Sequence, residues 1–536
     1  MARQIPVAQQ VLTASPQILL KNKERLSGKD AWKRNLALAS LTAFKIGSSL
    51  GPKGAYKLVT YHRGPEMVSK VTKDPIDVLD ELGIEYPAIM ILAEAAKIQR
   101  QHIGDGVATL LVAVSALLTE ADKLIEIGFH PNTILDGYLK ATEKSIAIIN
   151  EIAQNVAKDL DEHLLEVVDC GRELLSPTFR RELSEAINVV TEDGSVDPSR
   201  IRIVKKQGGQ TSDSELVRGV ILKGGKAHPS MPDMIDAPRI AFLTKLQIKR
   251  MELKAVDDGP FNVRVNITSP DQIRIFKNEE ARLRVQLVDM IKRSGASVLI
   301  SQTRMANKFA DQLSRQGIFA MHSVGPEDFQ EAARATGATI VATAYQLQKE
   351  NLGTAKKLEV DKIKPEDIVI LHCDRGATLL LRGSSPKLVQ EMEKIVKRAL
   401  LILKHSRSSS KVVPGGGAIF VELASRLRRY ALAFEGREQF VISSYADALE
   451  KVPDCLSRNY GFDPIDIMIK LRNHHSSGRQ AMGIGENGPV DMFEANIVEL
   501  SAVNKTNIHR AFELVSLLLR IDDCFYVKET PKFHRQ

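Results

Sequence analysis

Apolar residues recur at helical spacing through most of the first 150 positions. Ala31, Leu36, Leu38, Leu41, Phe44 and Ile46 predict one long helix with Asp30 as its cap, stopped by the glycines and proline of 47–54. Residues 57–61 alternate like a strand, with 68–71 as hairpin partner and a turn at Thr72-Lys73-Asp74-Pro75. Residues 84–150 predict three helices, broken at Gly104-Asp105-Gly106 and at Gly128-Phe129-His130-Pro131. Helical spacing continues through Ile148, Ile149, Ile152 and Val156, and again through Leu164, Leu165, Val168 and Leu174.

At 201–204 the period changes to two. Strand-like pieces at 216–222, 239–243, 297–301, 318–321 and 339–343 alternate with helical ones, of which 270–293 is the longest. Residues 368–371 and 377–383 predict one more pair of strands. From Pro386 the chain is helical again, at 419–433, 438–449, 464–474 and from about Asn507 to Leu519. Helical ends around an α/β middle predict an α+β multidomain protein, one domain built from both termini with the middle inserted.

Composition adds limits. The chain has 536 residues, 43% hydrophobic and 26% charged, enough for a sizeable core. Its net charge of +8 comes from 74 basic and 66 acidic residues interspersed along the chain, which describes a solvated surface. Aromatics are 5% with Trp32 the single tryptophan, which argues against base-stacking platforms. Nucleic acid is therefore a disfavoured partner. Cys170, Cys373, Cys455 and Cys524 are far apart and have no metal-ligand spacing, as in a reducing compartment. No apolar run reaches about 18 residues and the N-terminus lacks a signal-peptide core. The expectation is a soluble cytoplasmic protein without membrane partners.

Candidate chemistry gathers at glycines. A helix starting just after Gly104-Asp105-Gly106 aims free N–H groups at whatever lies there, which favours an anion. Asp105 is a hard oxygen ligand of the kind Mg²⁺ takes beside phosphates. Taken alone, Gly-Asp-Gly reads more simply as a turn between two helices. The stretch 47–54 lacks the Gly-Lys-Ser/Thr ending of a P-loop, and the middle block has no nucleophile–base spacing or dinucleotide fingerprint.

In order and spacing the chain resembles a group II chaperonin subunit, of the archaeal thermosome kind rather than the eukaryotic. The resemblance covers nearly all of the chain. It is carried by Leu50-Gly51-Pro52-Lys53-Gly54, Gly104-Asp105-Gly106, Gly208-Gly209 with Leu216-Val217-Arg218-Gly219, and His228-Pro229-Ser230-Met231-Pro232. Further carriers are Ile267-Thr268-Ser269-Pro270, Pro414-Gly415-Gly416-Gly417, Gly436-Arg437-Glu438-Gln439, Tyr445-Ala446-Asp447-Ala448-Leu449-Glu450, Gly461-Phe462-Asp463-Pro464 and Leu519-Arg520-Ile521-Asp522-Asp523. It implies a mostly helical equatorial domain, 1–145 and 400–536, which binds ATP and makes ring contacts. It implies a small α/β hinge-like intermediate domain, 146–214 and 367–399. It implies an α/β apical domain, 215–366, which binds substrate and carries a helical built-in lid at about 246–285. Of the apolar residues there (Leu246, Ile248, Met251, Leu253, Val263, Val265, Ile273), exposed ones would hold unfolded chains, while the alternating Val263 and Val265 are expected to pack inside the domain.

The resemblance further implies ATP contacts at Leu50, Gly51, Pro52, Asp74, Gly104, Asp105, Gly106, Val107, Ala108 and Thr109, with Asp105 as the Mg²⁺ ligand. Gly415, Gly416 and Asp491 match a second nucleotide loop. The departures concern catalysis. Where the family has the aspartate that positions the attacking water, this chain has Arg398, which cannot accept a proton. Family Gly-Asp-Gly-Thr-Thr becomes Gly104-Asp105-Gly106-Val107-Ala108, so two hydroxyl donors are gone. Family Asn-Asp-Gly-Ala-Thr becomes Lys73-Asp74-Pro75-Ile76-Asp77, in which Pro75 has no N–H, Asp77 adds a negative charge and Lys73 offsets it. A further family aspartate on the preceding strand matches Tyr61. One lost hydroxyl contact costs about 1 kcal/mol. A lost general base costs about 10² to 10⁴ in rate. The expectation is a subunit of an ATP-dependent double-ring chaperonin that binds nucleotide weakly and hydrolyses it poorly or not at all, beside active paralogous subunits enclosing non-native polypeptides. A fully active chaperonin with a rearranged site is the alternative, and a structural ring that binds RNA or membranes a remote one.

Overall fold

The computed structural model describes residues 23–27, 29–63, 66–81, 87–155, 174–192, 195–245, 270–361, 367–408, 411–521 and 523–527, with positions 161, 164, 165 and 168. The chain divides into two compact units. Met1–Gly171 with Ser409–Gln536 forms the first, and Arg172–Ser408 forms the second.

The first unit is built around the helix Val107–Glu126. Leu110 to Leu118 are buried without a break, so this helix is apolar on every side and belongs inside a bundle. Helices Lys29–Gly47, Arg437–Leu449 and Ser501–Leu519 pack against it. Tyr138 and Tyr445 meet edge to face at 5.2 Å. Each phenol is satisfied: Tyr138 Oη donates to Leu117 O at 3.1 Å and Tyr445 Oη meets Thr142 Oγ1 at 3.0 Å. The two ends of the chain are stitched together twice. Lys23–Ser27 pairs antiparallel with Asp523–Val527. Lys411–Pro414 lies between Val498–Leu500 and Gln154–Asn155 in a three-stranded sheet. Lys57–Arg63 and Glu66–Thr72 form the expected hairpin.

Among the described residues the second unit holds the short hairpin Thr191–Glu192 with Ser195–Val196 and two larger sheets. In one, Arg239–Leu243, Val298–Ser301 and Phe319–Met321 run parallel, and Gly353–Thr354 closes the edge antiparallel. Its parallel strands are buried almost throughout, as strands covered on both faces are. Helices Pro270–Ser294, Asn307–Arg315 and Pro326–Thr336 alternate with them. The other sheet is organised by the long strand Ile368–Gly383. It takes Ile201–Gln207 in parallel, and Glu215–Lys223 and Lys357–Asp361 antiparallel.

Four sequence expectations need correcting. Residues 368–371 and 377–383 are not partners; they are two halves of one strand, with a register shift between His372 and Ala377. Residues 339–343 make only a bridge from Val341 to Leu243, because the chain turns away at Ala344–Gln346. The first long helix starts at Lys29, so Asp30 lies inside its first turn. The last long helix starts at Ser501, six residues before Asn507. Of the expected lid, 246–269 lies outside the described residues, as do Leu246, Ile248, Met251, Leu253, Val263, Val265 and the Ile273 side chain. Among the described residues no helix is long and apolar enough to cross a membrane.

One buried charge fixes three helices of the first unit. Glu450 is 5% exposed. Its Oε1 accepts from Arg428 Nη1 and from Arg472 Nε, each at 2.9 Å, and Arg428 Nη2 reaches Oε2 at 2.6 Å. Burial opposes its charge, but the two guanidinium groups hold the carboxyl below the usual range. Glu450→Gln leaves two arginines without their shared anion. A loss of about 3 kcal/mol is expected in urea unfolding, and a loss within error would show that the cluster is solvated.

Candidate functional site

Glycines set the geometry of the first unit's candidate site. Gly104 and Gly106 both have left-handed backbones, with φ of 88° and 81°. Gly106 caps Val107–Glu126 with no side-chain bond to the first turn. The Leu110 N–H returns to Gly106 O at 2.9 Å, so the N–H groups of Val107, Ala108 and Thr109 precede the first intrahelical bond. The Val107 side chain turns into the core, where a hydroxyl would be out of place. A Cβ on Gly106 would stand 2.6 Å from Asn507 Nδ2 and 2.7 Å from Val503 Cγ1. Asp105, between the glycines, is partly exposed.

Two loops are joined to the helix that leads into this turn. Lys73 Nζ donates to Pro52 O at 2.8 Å, which joins the Leu50–Pro52 loop to the hairpin end. The Leu50 carbonyl is held by Asn459 Nδ2 at 2.8 Å, and Gly51, at φ 79°, fits close against Leu456. Asp74 opens the helix Pro75–Glu81: its Oδ1 accepts from Ile76 N–H at 2.9 Å and from Arg100 Nη2 at 2.8 Å, and Arg100 Nη1 donates to Oδ2. Pro75 takes the first helical position, where its missing N–H costs the helix nothing but offers a phosphate nothing. Asp77 pairs with Lys70 at 3.2 Å and accepts from Thr72 Oγ1 at 3.0 Å, so Lys70 offsets it. The backbone of Tyr61 lies opposite Val68 in the hairpin.

A further loop follows strand Lys411–Pro414. Gly416 and Gly417 are left-handed, at φ 57° and 78°, and Gly417 caps Ala418–Ala431 without a side-chain bond. Gly415 N–H donates to Ile497 O, and Gly416 O accepts from Ile484 N–H, both at 2.9 Å. A Cβ on Gly416 would be 2.5 Å from the Met492 sulfur, so the neighbouring Asp491 is tied to this loop. Asp491 Oδ1 accepts from Phe493 N–H at 2.9 Å and closes the turn. Lys53 and Glu486, 2.8 Å apart, link the first loop to the hairpin that carries Asp491. Arg398 belongs to the second unit. It lies on Pro386–Ser408, partly buried, beside the buried Ala399 and Leu400.

Several residues that the sequence did not single out complete the site. Gln99 Nε2 donates to Asp105 O and to Asn507 Oδ1, both at 3.0 Å, and Gln99 Oε1 accepts from Arg510 Nη1 at 2.6 Å. Glu499 lies opposite Val413 in the sheet and accepts from Asn504 Nδ2 at 2.8 Å. Burial pushes its carboxyl up to about 7; the Asp105 charge adds to the rise and the Asn504 bond opposes it. Ser501, Asn504 and Asn507 are each 1% exposed, yet Ser501 Oγ, Asn504 Oδ1 and Asn507 Nδ2 have no hydrogen-bond partner among the described residues. Orphaned buried polar atoms beside an uncapped helix start are what a polar ligand or its waters would satisfy. Among the described residues no three acidic, His or Cys side chains form a metal cluster. A divalent ion at Asp105 would thus draw further ligands from phosphate and water, the usual pattern for Mg²⁺. The donor set fits nucleotide with Mg²⁺.

Residues 43–529 match the model of the TCP-1/cpn60 chaperonin family. The chain is 34% identical to a thermosome subunit of Methanopyrus kandleri over 532 residues, covering 96% of this chain and 95% of the relative. It is 35% identical to thermosome subunit beta of Thermoplasma acidophilum over 526 residues, 95% of each chain. It is 34% identical to thermosome subunit alpha of Methanothermobacter thermautotrophicus over 515 residues, covering 94% and 93%. The chain belongs to the TCP-1/cpn60 chaperonin family, as a subunit of the group II kind. Chaperonins of this family depend on ATP.

Two outcomes test this geometry. Gly106→Ala forces a left-handed alanine against Asn507 and Val503 and should cost about 1–3 kcal/mol in thermal unfolding; unchanged stability would mean that the turn can relax. Glu499 has a folded carboxyl near 7 against an ordinary 4.5, so the native state binds the extra proton between those values and loses stability as pH rises through them. Glu499→Gln should therefore match wild type below about pH 4 and be more stable by about 1–3 kcal/mol above about pH 8, in nucleotide-free protein. An equal difference at both pH values would contradict this assignment.

Proposed function

We propose that this chaperonin subunit, part of a double-ring assembly that assists the folding of other proteins, binds ATP weakly and hydrolyses it poorly or not at all. It works beside active paralogous subunits that supply turnover, and the ring encloses non-native polypeptides. The observation that carries the reading is a contrast. The anion turn Gly104-Asp105-Gly106 keeps its left-handed glycines and uncapped helix start. The position that the family resemblance assigns to the attacking water is Arg398. An arginine can pair with phosphate but stays protonated and cannot act as a base.

In this reading 1–145 and 400–536 bind nucleotide and make ring contacts, 146–214 and 367–399 act as the hinge, and 215–366 bind substrate. The compact unit formed from both chain ends supports the first assignment. Within it, Leu50 to Pro52, Asp74, Gly104 to Thr109 and Gly415, Gly416 and Asp491 form the nucleotide site, with Asp105 as the Mg²⁺ ligand. When bound, Mg²⁺ would neutralise phosphate charge. The protein's part is to present N–H groups at Val107 to Thr109 and to keep the turn rigid through Gln99 and Asn507. A fully active machine with a rearranged site remains the competing reading, because Asp105 is kept.

Phosphate release from ATP, measured on assembled chain, separates the two. Release at least about a hundredfold below an ordinary thermosome is expected. Ordinary rates that vanish in Asp105→Ala would establish the rearranged active site instead.

A further inference from the structure

Arg100 joins the Asp74 loop to the Gly104-Asp105-Gly106 turn, and its chemistry bears on how that site handles cations. It sits in the last turn of helix Pro87–Ile103. Its own carbonyl accepts from Gly104 N–H at 2.9 Å, so Arg100 lies one helical turn from Asp105. The guanidinium grips Asp74 with both terminal nitrogens: Nη2 donates to Oδ1 at 2.8 Å and Nη1 donates to Oδ2. The same Oδ1 also accepts from Ile76 N–H at 2.9 Å, and Asp74 N–H is held by Thr72 Oγ1 at 3.0 Å. The Asp74 side chain is 8% exposed and that of Arg100 is 21% exposed. A two-pronged, charge-assisted pair in this setting is strong and directional. A divalent cation could take Asp74 only by displacing the guanidinium, which would leave an arginine buried without its anion.

The charges around the pair point the same way. Lys73, next in the chain and also 8% exposed, places Nζ on Pro52 O. Asp77, on the following helix, pairs with Lys70. Lys73, Asp74 and Arg100 together leave the wall with one positive charge. Arg100 Nε is buried with no acceptor among the described residues, a donor that an anionic oxygen or a water would satisfy. A fixed cation in a partly buried wall attracts phosphate without a metal ion as intermediary.

We propose that Arg100 is a specificity-determining residue of the nucleotide site: it withdraws Asp74 from cation binding and supplies fixed positive charge, so that nucleotide phosphate binds with little dependence on Mg²⁺. The inference rests on the reading of this site as nucleotide-binding. It commits Asp105 alone, of the two loop aspartates, to cation chemistry.

The test is the affinity of full-length chain for trinitrophenyl-ADP, measured by fluorescence in excess Mg²⁺ and in excess EDTA. In the wild type the two dissociation constants should agree within about threefold. Arg100→Gln should weaken binding in EDTA by about tenfold or more, and Mg²⁺ should restore much of it through the released Asp74. Arg100→Lys keeps the charge but not the two-pronged grip, so it should stay close to wild type in EDTA and gain part of the Mg²⁺ response. The double variant Arg100→Gln with Asp74→Asn removes the released carboxylate and should lose the Mg²⁺ response seen in Arg100→Gln. A purely structural role would lower the melting temperature and weaken binding equally with and without Mg²⁺, and that result overturns the proposal. Strong Mg²⁺ dependence in the wild type overturns it too while leaving the nucleotide reading intact. Absence of binding in both conditions overturns both.

Discussion

Gly106 is the point on which the first unit turns. The helix that follows is apolar on every side, so it must run through the middle of the bundle. Its start is fixed by that packing, and there the chain must enter with a left-handed residue pressed against Asn507 and Val503. Only glycine meets both demands. The consequence is chemical. A core helix begins with its first N–H groups at a turn whose capping residue, Gly106, has no side chain to offer them. The burial that stabilises the unit also holds an anion-seeking end in place.

The rest of the site is bound to that point by bonds between residues far apart in the chain. Gln99 ties the turn to Asn507, some four hundred positions later. Lys73 holds the Leu50–Pro52 loop, and Lys53 reaches Glu486 on the hairpin that carries Asp491. Glu499 occupies the strand beside the one that leads into Gly415. Both chain ends are needed to build this constellation, which is why the unit has to be assembled from the two termini.

Much of the framework could be read from pattern alone. The three helices around the two glycine breaks occur as Pro87–Ile103, Val107–Glu126 and Pro131–Ile152. The failures have local physical causes. Helix Lys451–Tyr460 was hidden by Pro453, which looks like a breaker but sits in the first turn, where no N–H is required. The early part of Ser501–Leu519 was hidden because Ser501, Asn504 and Asn507 are polar and yet buried, which spoils the apolar period. Those same three residues carry the orphaned polar atoms. Local pattern broke down where the chain had given up packing for polar function. The glycine turns were visible as motifs. The pairing of Asp74 with Arg100 was not, since nothing in a single sequence couples positions twenty-six residues apart on a hairpin end and a helix end.

The site's charges are arranged so that most acidic groups are already engaged. Asp74 is held by Arg100, Asp77 by Lys70, and Glu499 has a carboxyl raised toward neutrality. Positioning a water for attack on phosphate takes a carboxylate with a lone pair to give. Binding phosphate takes only N–H groups and fixed cations. The first unit provides members of the second set: a helix start at Gly106, the Lys73 and Arg100 side chains, and an Arg100 Nε without an acceptor among the described residues. In the proposed reading the carboxylate that meets the cation stands in the glycine turn, at Asp105. Such a distribution supports the proposed reading, a nucleotide held more readily than cleaved, from residues of the first unit and apart from the arginine at 398.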